Sequence, residues 1–251
     1  MQDTSENAIR TSTITLDEVP VTIEVQRKRI RNMYLYIKPG ARVVISAPLR
    51  FTDADILAFA RSKTMWLARQ MHTMRNKKEP APQQYVTGET IRIWGTPHHI
   101  IFRPDKSRSF TVGEDSVILS MPADTDQAAR EQYVKAQLKL RLKRAIAVRL
   151  PVWEKQMGLY HRSFTVRDMK SRWGSCNIGT ANITFALELI RLDPICLDYI
   201  IVHELAHLRH GRHNKAFWKL VGTYLPEWKT IRKSLEGQET VTEPEEDNAG
   251  N

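Results

Sequence analysis

One stretch limits what this chain can fold into more than any other: Asp193–His213, which reads D-P-I-C-L-D-Y-I-I-V-H-E-L-A-H-L-R-H-G-R-H. Asp193 is a good helix N-cap, Pro194 suits the first helical position, and Gly211 suits a C-terminal cap. The run Leu197, Tyr199, Ile200, Ile201, Val202 is apolar almost all round, so this pattern predicts a buried helix. His203 and His207 stand four residues apart on it. That spacing sets both on one face, about one turn (roughly 5–6 Å) from each other, where two imidazoles can point at one metal ion. Glu204, one step round from His203, is turned aside and can reach a water on that metal without ligating it.

A catalytic zinc ion takes three protein ligands and keeps a fourth position for water. If the helix ran on, His210 would share the face of His203 and His207. It would then lie about 10 Å along the axis from His203, too far for bonds of about 2 Å to gather all three. His213 lies past Gly211, where the chain can turn back, and is the expected third ligand. His210 and a downstream carboxylate, Glu227, are the alternatives. A histidine on an apolar helix is more often a satisfied core residue, and H-E-x-x-H arises by chance. Here the buried helix, the closing glycine and the following histidine occur together, and the combination points to one bound zinc ion.

Composition bounds the rest. The 251 residues, 41% hydrophobic, suffice for one large or two small globular domains. Cys176 and Cys196 are too few for a disulfide framework, which suggests a reducing compartment. Met1–Thr13 is polar, without a signal-peptide core, and no apolar run approaches a membrane span, so the expected location is cytoplasmic. The net charge of +10, with clusters at Arg27–Arg31, Arg75–Lys78 and Lys135–Arg149, leaves nucleic acid open as an acidic partner. Against it, no aromatic residues interleave to stack bases, and a lysine-rich helix face is usually only solvated.

Along the chain, residues 1–12 read as a flexible N-terminus and 13–124 as a β-rich region with one helix. Strands are expected at Val21–Gln26, Met33–Lys38 and Arg42–Ser46, the last after a Pro39-Gly40 turn. A helix opens at Thr52–Asp55 and runs to about Met74 with Trp66 and Leu67 inward. Residues 75–84, charged and proline-rich, read as a connector. Short strands return at Thr90–Trp94, His98–Phe102, Ser109–Val112 and Val117–Ser120. His98 and His99, adjacent on a strand, must face opposite ways and cannot form a one-sided pair. Residues 125–236 form the second domain. It opens with an amphipathic helix from Asp126 to about Leu150, which Pro151 interrupts or kinks. Strands follow at Ser163–Asp168 and Asn182–Ile190, with S-R-W-G-S-C (Ser171–Cys176) shaping a tight turn between them. Asn214 caps a further helix, and residues 237–251 read as a disordered acidic tail.

Taken together, S-R-W-G-S-C, then I-T-F-A-L-E-L-I, then L-D-Y-I-I-V-H-E-L-A-H-L-R-H-G-R-H-N-K-A-F-W with Pro226 and Trp228 beyond, resemble the YgjP-like zinc metallopeptidases, relatives of the SprT-like and WLM proteases. The likeness covers roughly Val134–Leu235, and Arg31–Arg69 also resembles that family's β-rich N-terminal region. It implies an α+β fold in which a zincin-like domain, with a small sheet and an active-site helix, follows a β-rich region. It further implies His203, His207 and His213 as ligands of one catalytic Zn2+, Glu204 as the catalytic glutamate, and a polypeptide substrate. Phe217 and Trp218 match the family's F-W after the third histidine. Thr184-Phe185-Ala186 departs from the family's second hairpin strand, where an asparagine usually follows an apolar residue.

The chemistry expected is attack by zinc-activated water, with Glu204 as general base and then acid. Arg172, Tyr224 or a backbone N–H could steady the oxyanion, and Trp173 is a further candidate contact for substrate. The Asn182–Ile190 strand, if it forms a sheet edge, could bind an extended peptide by main-chain pairing. Cys176 is expected to shape the cleft rather than react. The alternative function is hydrolysis of a non-peptide substrate such as a nucleotide phosphoanhydride, although no Walker-type glycine loop accompanies it.

Overall fold

The computed structural model describes residues 11–16, 21–38, 42–76, 82–169 and 171–236. The Pro39-Gly40 turn and the acidic tail 237–251 lie outside them, as do most of the flexible N-terminus and half of the connector. The chain divides into two compact units, residues 1–81 and 82–251. The sequence reading put that division at residue 125. It falls instead at the connector, so the strands of residues 90–121 belong to the same unit as the metal-site helix.

In the first unit, β1 (Thr11–Leu16), β2 (Val21–Lys28), β3 (Tyr34–Lys38) and β4 (Arg42–Pro48) form a sheet in the order β1-β2-β4-β3. The β2–β4 pair is parallel and the other two are antiparallel. Alternation along β2 buries Val21, Ile23 and Val25, and β4 adds Val43, Ile45 and Ala47 to the same cluster. Two helices complete it: α1 (Asp53–Ser62) and α2 (Thr64–Asn76). Thr52 caps α1 in a capping box, accepting from the Asp55 amide while the Asp55 carboxylate accepts from the Thr52 amide. The single helix expected here is broken at Lys63. There the Lys63 amide bonds back to Ala60 and Arg61, and the Thr64 hydroxyl donates to the Arg61 carbonyl at 2.8 Å. Leu67 is fully buried, while Trp66, expected inward, is 38% exposed.

The second unit opens with the same topology. β5 (Thr90–Ile93), β6 (Thr96–Pro104), β7 (Ser109–Val112) and β8 (Ser116–Met121) pair in the order β5-β6-β8-β7, again with only the inner pair parallel. His98 is buried and His99 exposed, as alternation requires. After β8, Asp126 caps α3 (Gln127–Met157), its carboxylate accepting from the Ala129 amide at 2.7 Å. Pro151 does not end this helix, which continues to Gly158, left-handed at φ 62°. Pro151 and Ala147, the residue whose carbonyl loses its i+4 donor, both lie on the exposed face, where water can serve that carbonyl.

Next come β9 (Ser163–Arg167), β10 (Gly174–Asn177) and β11 (Asn182–Ala186), in the sheet order β10-β11-β9. Two sequence expectations change here. Residues 182–190 are not one strand: β11 ends at Ala186 and a 3-10 turn covers Leu187–Arg191. Moreover, β11 is the central strand and not an edge. Three helices close the unit: α4 (Pro194–His207), α5 (Lys215–Tyr224) and α6 (Trp228–Glu236). The β5–β6 hairpin docks on the start of α4. Trp94 and Gly95 both take positive φ, their amides donate to the carbonyls of Ile190 and Arg191, and a Cβ on Gly95 would meet the Asp193 backbone at 3.4 Å. Among the described residues no helix is long and apolar enough to cross a membrane.

Candidate metal centre

The helix that carries the site is held from its first residue. Asp193 caps α4 by accepting from the Ile195 amide at 2.9 Å, and Pro194 follows at the position where a missing N–H is harmless. From Cys196 to Ala206 every residue except Asp198 is buried. Asp198 is fixed too, accepting from Arg149 and from the indole N–H of Trp153 on α3. His203 and Glu204 are therefore set into the core, 3% and 2% exposed.

The helix closes at His207, earlier than the cap expected at Gly211. Leu208 ends it, its amide bonding back to Leu205. The chain then turns so that His213 comes back to the helix. The Nε2 atoms of His203, His207 and His213 lie 3.0, 3.1 and 3.2 Å apart. Gly211 serves this turn by its lack of a side chain, since a Cβ there would sit 3.0 Å from Cδ1 of Ile178 on the β10–β11 loop. Of the two alternatives for the third position, His210 offers its carbonyl to Nδ1 of His207 at 3.3 Å, and Glu227 stands exposed ahead of α6.

The donor set fits a zinc ion. A carbonyl only accepts, so Nδ1 of His207 carries the proton and Nε2 presents a lone pair to the cluster. Three imidazole nitrogens facing one another cannot all satisfy each other by hydrogen bonds; a cation among them can. Ligands about 2.0–2.1 Å from a tetrahedral zinc are separated by roughly 3.3 Å, close to the spacing seen. Burial holds His203 well below the usual imidazole range, helped by His207, His213 and Arg232. Burial and His213 bring His207 down to about 4. Both rings are thus neutral at pH 7, the form that ligates.

Aromatic rings enclose the cluster. Phe217, fully buried on α5, has its ring centroid 5.0 Å from that of His203 and 4.7 Å from those of His207 and His213. Trp218 stacks on His213 at 5.4 Å. On the other side, β10 lies against Glu204. A Cβ on Gly174 would sit 2.3 Å from Oε1 of Glu204, so only glycine fits. Cys176, two residues on and on the same face, is half-buried; burial first and Glu204 second push its thiol up to about 11.

Strand β10 is the feature that sequence reasoning missed, having read Ser171–Cys176 as a turn. The Ala186 amide donates to the Trp173 carbonyl, and Gly174 pairs with Phe185 in antiparallel register. Alternation then turns the N–H and C=O of Gly174 and Cys176 away from β11, towards the sheet's open side. The signal was present in principle: a glycine beside Trp173 marks a close backbone approach. Of the other candidate contacts, Trp173 is buried in the core, Arg172 is exposed, and Tyr224 is half-buried in the last turn of α5. Part of the basic surface is already paired. Lys135 bonds Glu131 and Asp168, Arg149 bonds Asp198, and Arg27 bonds Asp53.

Comparison with known proteins bears on the same stretch. A family model described as "YgjP-like, metallopeptidase domain" matches residues 31–238. No curated protein matches the chain. A solved structure, that of the metallopeptidase zymogen of Pyrococcus abyssi abylysin, aligns with 39% of this chain and 99% of its own at 24% identity. The TM-score is 0.35, too slight a likeness to bear on the geometry.

Proposed function

Because the chain belongs to the YgjP-like metallopeptidase family, we propose that it uses one zinc ion, held by His203, His207 and His213, to cleave peptide bonds within extended polypeptide segments. The observation that carries this reading is the convergence of three Nε2 atoms within 3.2 Å, two from the helix that also bears the buried Glu204 and one from the loop after it. A zinc ion bound there supplies Lewis acidity, polarising a carbonyl oxygen and bringing the pKa of water towards about 7.

The chain's own residues supply the rest. Glu204 takes a proton from the attacking water and returns it to the leaving amine, base and then acid in turn. Its carboxylate is kept in place by Gly174, which packs on it without a side chain. The outward backbone groups of Gly174 and Cys176 suit an extended chain added as one more strand, which would carry its scissile bond past Glu204. The surrounding rings of Phe217 and Trp218 limit bulk water around the imidazoles.

The test is direct. Elemental analysis of the purified chain should give one zinc per molecule, and His213→Ala should lose it. Glu204→Gln should retain zinc and lose cleavage of unfolded casein by at least about a hundredfold, the lower end expected for removing a general base. Retained turnover would overturn the role of Glu204. Turnover of nucleoside triphosphates with none of casein would replace the peptidase reading.

A further inference from the structure

His213 differs from its two companions in how it is held. His203 and His207 sit on a rigid buried helix, whereas His213 lies in the loop between α4 and α5. Its neighbour Asn214 caps α5, accepting from the Phe217 amide at 2.9 Å, which fixes the backbone at that point. The ring is fixed by aromatic contacts. Phe217 meets it edge-on at 4.7 Å and 85°, and Trp218 stacks on it at 5.4 Å and 23°.

Trp218 is in turn held from α6. Its ring stacks on Trp228 at 4.3 Å and 12°, the tightest and most nearly coplanar aromatic pair among the described residues. The Arg232 guanidinium lies 5.2 Å from the Trp218 ring centre, and Lys229 lies 5.7 Å from that of Trp228. Gly222 makes room for this arrangement: a Cβ there would stand 3.2 Å from Nε1 and 3.4 Å from Cδ1 of Trp228. His213, Trp218 and Trp228 therefore form one stacked column, running from the metal cluster to the last described helix.

We infer that Trp228 is a positioning residue for the metal centre, acting through Trp218 to hold the His213 ring in ligating orientation, so that α6 sets how tightly the ion is kept. This rests on the zinc reading above. Groups that orient metal-bound histidines commonly carry 10–100-fold in affinity when removed. His213 is oriented by stacking, so the column fills that part here.

The experiment is chelator competition on the full chain, with Co2+ absorption as a second readout. Trp228→Leu should weaken zinc binding about tenfold and alter the Co2+ ligand-field bands, and Trp228→Phe, which keeps a stacking face, should recover most of the affinity. Gly222→Ala guards against simple misfolding. It favours helix formation in α5, yet its new methyl pushes the Trp228 ring, so zinc affinity should fall several-fold while the zinc-free chain keeps the circular dichroism of the wild type. Wild-type affinity and unchanged Co2+ bands in Trp228→Leu and Gly222→Ala would overturn the inference and leave the zinc reading intact. A wild-type chain that holds no zinc would remove both.

Discussion

Gly174 shows how far one missing side chain can organise a site. Its Cα rests against the Glu204 carboxylate, and any Cβ would come within 2.3 Å of Oε1. Gly174→Ala should therefore cost about 1–3 kcal/mol through overpacking. It should also displace the carboxylate, so peptide turnover should fall much further than the melting temperature suggests; denaturation and casein assays on one preparation would separate the two. Cys176 makes the opposite case, a reactive side chain kept idle. With its thiol pushed up to about 11, it is protonated throughout the neutral range. Iodoacetamide at pH 8 should then modify it at least about tenfold more slowly than an ordinary thiol near 8.5, and Cys176→Ser should keep most activity. Rapid alkylation would show that the burial is not maintained in solution. At this scale the sequence was informative where the geometry is local. Helical spacing alone pairs His203 with His207 and turns Glu204 aside. Gly174 marks a close approach without saying to what, because the group that requires a glycine there is a carboxylate thirty residues further along.

Among the elements, the strand runs were readable from alternation and apolar clusters, and β7 falls on the residues expected. Neighbour relations were not. Nothing local in Asn182–Ala186 says that it lies between β9 and β10, since sheet order is set by pairing across the chain. Helix breaks were misjudged in both directions, because each turns on where one backbone carbonyl finds its partner. Thr64 breaks a helix that periodicity would continue, because its hydroxyl takes a carbonyl on the way. Pro151 fails to break one because the carbonyl it leaves open faces water. Pro151→Ala should restore that hydrogen bond, and α3 should gain about 1–2 kcal/mol after allowing for the greater freedom of the unfolded chain. Denaturant titration would measure it. A loss of stability would mean that the proline ring contributes packing to α3 that outweighs the missing hydrogen bond.

On the scale of the whole molecule, the two sheets share one plan: order 1-2-4-3 and 5-6-8-7, with the middle pair parallel in each and a capped helix following. The sequence carries the likeness in V-V-I-S-A-P at residues 43–48 and V-I-L-S-M-P at 117–122, with the helix cap at Thr52 and Asp126. Among the described residues, the second copy falls in one core cluster with the metal-site helix and the first copy in a cluster of its own. Residues 82–236 should accordingly fold and bind zinc without the first unit. Circular dichroism and metal content of that fragment would check this, and an unfolded fragment would show that the first sheet supports the second unit. Chelation should lower the melting point of the full chain. An ion at a hundred times its dissociation constant stabilises by about 2.7 kcal/mol, and the freed imidazoles are left facing one another.

The open side of β10 has a further consequence. An extended backbone with amides and carbonyls to spare can replace water as the partner of its outward groups. Helices and interior strands have already spent theirs, so a well-folded neighbour offers this edge little beyond edge strands of its own. A preference for loosened chains could then arise from backbone availability alone, without recognition of side chains.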